Sequence, residues 1–138
     1  MSSDAMRLPD WEQRLADLIA AYQGGGFVWG KRDCLTFCLD AAEAMTGQRR
    51  WSQEHTYASP LQAVRWGRAC GFRDMAEGFA SVFSEVPPAV ARRGDIGVVC
   101  AGASAGGVVV LGADLIGMGG DGLSLVPRSQ MSRAFRVG

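Results

Sequence analysis

The stretch Gly24-Gly25-Gly26-Phe27-Val28-Trp29-Gly30-Lys31-Arg32-Asp33-Cys34 decides how the chain is read. Three successive glycines end whatever helix precedes them, and Asp33 is a residue type that caps a helix N-terminus. Cys34 therefore opens a new helix, predicted from about Asp33 to Thr46 with Gly47 as its stop. A sulfur in that first turn feels the partial positive charge of the helix end, which favours thiolate over thiol. The glycines before it let another molecule approach the main chain closely. The chain holds one histidine, His55, and it belongs to a different segment. A nucleophile's position is present without an adjacent proton-transfer partner.

Upstream, Trp11, Leu15, Leu18, Ile19 and Tyr22 recur at helical spacing, predicting a helix from Asp10 to about Tyr22 with Pro9 and Asp10 as start signals. On the second helix Leu35, Cys38, Ala42 and Met45 form the inner face. A loop from Gln48 to Ala58 carries Trp51, His55 and Tyr57. Ser59-Pro60 starts a third helix, a cap followed by proline at the first helical position, which ends at Cys70-Gly71. A shorter helix is predicted from Asp74 to Phe83, and Pro87-Pro88 then breaks the pattern.

From Arg93 the periodicity changes to short strands: Asp95 to Cys100, Gly107 to Leu111, Asp114 to Met118, Leu123 to Val126 and Ala134 to Val137, with a turn over Gly119-Gly120-Asp121-Gly122. Helices first and strands second predict an α+β domain with an antiparallel sheet, one domain over residues 1–138. Trp11, Leu15, Leu18, Leu35, Cys38 and Val109 are the expected core.

The 138 residues are 48% hydrophobic and 20% charged, with a formal net charge of zero, a composition that folds without metal or disulfide staples. Arginines dominate the basic residues, Lys31 being the only lysine, but they are scattered and balanced by carboxylates. Pairs such as Arg49-Arg50 and Arg92-Arg93 read as solvated loop charges, and nucleic acid is not an expected partner. No stretch approaches the roughly 20 apolar residues of a membrane span, and Met1 to Asp10 lacks a signal-peptide core. Synthesis in the cytoplasm is expected. Cys34 and Cys38 share a helix face, and Cys70 and Cys100 lie far off without a second close pair. Thiolate metal sites use tighter spacings, so no metal and no cofactor are expected. Cys38, Cys70 and Cys100 read as small buried hydrophobes. The glycine runs lack the strand–loop–helix setting of a phosphate loop.

Phe27-Val28-Trp29-Gly30 followed by Asp33-Cys34 and Phe37 resembles the signature of NlpC-type cell-wall cysteine peptidases, and Arg93-Gly94-Asp95-Ile96 resembles the Gly-Asp strand start of the same family. More closely, the whole chain resembles a small family encoded in tailed phages and prophages. The matching pieces are Trp11 to Leu15, Phe27 to Cys34, Arg92 to Asp95 and Phe135 to Val137. The resemblance implies a papain-like fold in which a sheet supplies a histidine to the helix-borne cysteine. Setting Gly106 to Gly112 against the family's histidine strand puts Gly106 at the histidine position. The third residue of the triad then falls near Met118, and Leu35-Thr36 replaces the usual Ser-Gly.

What the resemblance implies is a virion component of a phage tail tip or baseplate hub, a degenerate peptidase fold in which Cys34 is a vestigial candidate nucleophile. Its expected partners are other tail-tip and hub proteins, with peptidoglycan as a further contact and no membrane insertion. The glycine-rich strands and the Trp51 loop are the expected docking surfaces. The alternative is an active peptidoglycan endopeptidase with Cys34 as nucleophile, opening the cell wall as the genome is delivered. In a third reading a partner chain supplies the missing base. Within this chain a substitute base requires the His55 loop to fold back over Cys34.

Overall fold

The computed structural model describes residues 6–51, 55–101 and 104–138. Met1 to Ala5 and part of the Gln48–Ala58 loop thus lie outside the described residues. Four α-helices come first among those described: α1 (Trp11–Gln23), α2 (Cys34–Thr46), α3 (Pro60–Ala69) and α4 (Met75–Ala80). Six strands follow: β1 (Ser84–Val86), β2 (Ile96–Ala101), β3 (Ser104–Val110), β4 (Asp114–Gly119), β5 (Gly122–Pro127) and β6 (Met131–Arg136). They form one sheet in the order β1-β6-β2-β3-β4-β5, every pair antiparallel. The architecture is α+β, in the order of elements expected. The expected fourth helix is shorter than read, and β1 was missed, a three-residue strand on the sheet edge with no alternation to betray it.

Caps fix the helix starts. The carboxylates of Asp33 and Asp74 and the hydroxyl of Ser59 accept from the main-chain N–H three residues on, at Thr36, Glu77 and Gln62. Asp10 does not cap α1; its carboxylate pairs with Arg14 at 2.9 Å instead. Gly47 closes α2 at φ +76°, a left-handed conformation that glycine adopts without penalty.

Two apolar clusters hold the sheet. Phe37, Leu39 and Met45 of α2 and Phe79 of α4 pack on Ile96, Val109 and Phe135, on the helix-facing side of the sheet. On the opposite face Val108, Val110, Leu115, Met131 and Ala134 bury one another with Ala91. Strand alternation thus splits Val108-Val109-Val110 between the two clusters. Of the expected core, Leu15, Leu35, Cys38 and Val109 are buried, but Trp11 and Leu18 are only half-buried. The reason is that α1 lies at the margin, against α2 and β5, and a single helix in that place buries a narrow stripe. The reading of three buried cysteines also needs correction. Cys38 is buried, Cys70 is half-buried behind a helix with no buried residue, and Cys100 is exposed beyond the reach of the helices.

The Arg92–Asp95 motif ties the chain ends together. Asp95 is fully buried and accepts from the main-chain N–H of Arg92 and Val137 and from Arg7 Nη2 at 2.8 Å. Arg7 also donates to the carbonyls of Arg93 and Val137. Gly94, at φ +92°, has to be glycine, since a Cβ there would lie 2.8 Å from both Arg7 Nη1 and Met45 Sδ. Arg92 donates to the Gly138 carbonyl, and Arg49 pairs with Asp40 and Glu43, so neither is the simply solvated charge expected.

Candidate functional site

Cys34 is the first residue of α2, and the loop that delivers it is built around Asp33. The Asp33 side chain is buried, and it accepts from the N–H of Gly30 and of Thr36, each at 2.8 Å. Burial first, and then the same carboxylate nearby, hold the Tyr57 pKa well above the ordinary tyrosine value. The main chain of His55 and Tyr57 runs against Gly30, where an added Cβ would sit 2.8 Å from the His55 carbonyl oxygen. Gly30, at φ +79°, is therefore required by both its conformation and its neighbour.

The histidine loop does fold back toward the cysteine helix, but it delivers its ring to a different residue. His55 Nδ1 and Thr36 Oγ1 share a hydrogen bond of 2.8 Å, and the ring packs between Tyr57 and Trp66. Residues two apart on a helix do not face the same way, so the hydrogen bond to Thr36 does not itself bring the ring to the Cys34 side chain. No hydrogen bond joins His55 to Cys34 among the described residues. Burial lowers the His55 pKa below its ordinary 6.5, the Asp33 carboxylate opposing it only in part. Burial thus favours the neutral ring.

Cys34 is half-buried, with the main chain of Gly107 on β3 near its sulfur. Burial pushes the Cys34 thiol up, and the main chain of Gly107 and of the first turn of α2 only partly offset it. The helix end alone predicts the opposite sign. Desolvation outweighs the dipole here, with the Asp33 carboxylate adding repulsion.

The strand register decides which residue could act on that sulfur. The resemblance sets Gly106 at the histidine position, yet Gly106 shares a face with Val108 and Val110, away from α2. The residue that meets the cysteine helix is Gly107. A Cβ on Gly107 would lie 3.0 Å from Cys38 Sγ, 3.1 Å from Met75 Sδ and 3.3 Å from the Phe79 ring. The strand position turned toward the helices is thus packed against Cys38, Met75 and Phe79. Met118, near the expected third position, is buried in the helix-side core. The Trp51 loop is no docking surface at Trp51 itself, whose ring is buried against Trp66, Phe72 and Gly78.

Residues 6–137 match the model of a family described as a domain of unknown function (DUF6950). The chain belongs to that family. No curated protein matches it. The DUF6950 domain here thus places four polar groups around the start of α2 — Asp33, Thr36, His55 and Tyr57 — with the imidazole hydrogen-bonded to Thr36. Sequence reading missed the roles of Thr36 and Tyr57. The capping pattern Asp33-x-x-Thr36 was a signal for the first, whereas nothing local marks Tyr57, twenty-four positions after Asp33.

Proposed function

We propose that this DUF6950 protein is a structural part of a phage tail tip or baseplate hub, built on a degenerate NlpC-type, papain-like domain that has lost hydrolysis. The observation that carries the reading is the packing at Gly107. A helix-borne cysteine stands beside an antiparallel sheet, as in a cysteine peptidase, but the strand position turned toward the helices is a glycine whose added side chain would press on Cys38, Met75 and Phe79. An acyl transfer at Cys34 needs a group that takes the thiol proton and returns it to the leaving amine. His55 Nδ1 is held by Thr36, and no hydrogen bond joins the ring to Cys34 among the described residues. Losing such a member costs about 10⁴-fold or more in triad enzymes. The tail assignment is supported by the resemblance along the chain, with the Arg92–Asp95 and Phe135–Val137 pieces meeting at Asp95.

The test is complementation of a phage or prophage from which the gene has been deleted. Particles carrying Cys34→Ala should contain the protein and infect at the wild-type level. Absence of the protein from purified wild-type particles would contradict the structural role. Loss of infectivity in Cys34→Ala particles of normal composition would restore the endopeptidase.

A further inference from the structure

Among the described residues β5 pairs only with β4, so its outer edge is free. The closing pair Gly119–Gly122 flanks the two-residue turn Gly120-Asp121, and beyond the other end the Arg128 N–H donates to the Ala113 carbonyl at 3.1 Å. Antiparallel alternation then turns the main-chain groups of Gly122, Ser124 and Val126 toward β4 and those of Leu123 and Leu125 away from it. Pro127 also faces outward but has no N–H to offer. The outward donors are therefore those of two leucines.

Natural sheet edges are commonly protected by charge, bulges or brevity. The opposite edge, β1, is three residues long and carries Glu85, paired with Arg133. β5 is six residues long with no charge between Asp121 and Arg128, and Leu125 is 61% exposed. Beside it, between the end of α1 and the sheet, lies an open cleft of about 490 Å³ lined by Ile19, Leu111, Ile116, Leu123 and Leu125.

We propose that this edge binds a second copy of the chain, β5 against β5 antiparallel about a twofold axis through Ser124. What singles out a second copy is the sequence itself: Leu123-Ser124-Leu125 reads the same in both directions. Pairing Leu123 with the partner's Leu125 satisfies both outward N–H groups of each copy and calls on neither Pro127 for a donor. Leucine then faces leucine across the helix-side face, bringing the partner's Leu125 to the cleft beside Leu123. Serine faces serine on the other side, where the exposed hydroxyls reach each other. The zero net charge of the chain leaves no overall repulsion between copies.

The experiment is sedimentation equilibrium on the purified full chain with Ser124→Lys, Ser124→Glu and their mixture. The wild type should rise from 14.7 kDa toward twice that mass as concentration approaches about 1 mM. Each single variant places like charges opposite each other and should weaken the dimer about tenfold or more with an unchanged circular dichroism spectrum, and mixing the two should restore the dimer. A wild type that stays monomeric would overturn the proposal and leave the edge to another extended segment. So would a dimer that Ser124→Lys does not weaken, or a mixture that remains monomeric.

Discussion

At Gly107 an absent side chain makes room for the sulfurs of Cys38 and Met75. Gly107→Ala should then destabilise the fold by about 1–3 kcal/mol in denaturant titration, the range for overpacking a filled core. Gly106→His should fold normally, since a Cβ there meets nothing closer than Val99 Cγ2 at 3.9 Å, and it should confer no hydrolysis because it projects to the other face. With its pKa raised by burial, the Cys34 thiol should react with iodoacetamide at pH 7 more slowly than free cysteine. Selective, faster-than-free alkylation of Cys34 would show that its thiolate is stabilised instead. His55 supplies a pH signature. Its folded pKa lies below its unfolded value of 6.5, so the unfolded chain binds the proton more readily. Stability should be unaffected by this group above about pH 7 and should fall as pH drops through 6.5 toward the folded value. His55→Gln should flatten that part of the stability–pH curve.

Among the elements, α2 was the most legible. Its capping aspartate, its buried face of Leu35, Cys38, Ala42 and Met45 and its glycine stop are local signals, and each stands where the residues put it. The two helices that flank it were read correctly in place, but α1 was not read correctly in depth. Periodicity shows which stripe of α1 turns inward, whereas how far each residue sinks depends on the neighbours that α1 meets at the margin of the molecule. Leu15→Ala should accordingly cost about 2–5 kcal/mol, as for a fully buried leucine. Leu18→Ala should cost clearly less in the same titration, because Leu18 is only half-buried. Equal costs would mean that α1 packs more deeply than described. Arg7 was invisible to pattern reading, since its partner is eighty-eight positions away. Arg7→Ala removes the closer of the two arginines on the buried Asp95 carboxylate, leaving Arg136 at 3.8 Å, and should cost about 1.5–3 kcal/mol, measured by chemical denaturation.

For the molecule as a whole, the shift from helical to alternating periodicity after Pro88 was enough to give an α+β chain with an antiparallel sheet. What stayed hidden is which atoms the sheet presents to Cys34. A one-position difference along β3 turns a residue to the other face of the sheet, and only strand register distinguishes Gly106 from Gly107. The proposed loss of hydrolysis rests on that register. The most direct measurement is release of soluble muropeptides from purified peptidoglycan by the wild-type chain and by Cys34→Ala. The two should be indistinguishable from a blank without protein; release by the wild type that disappears in Cys34→Ala would contradict the account.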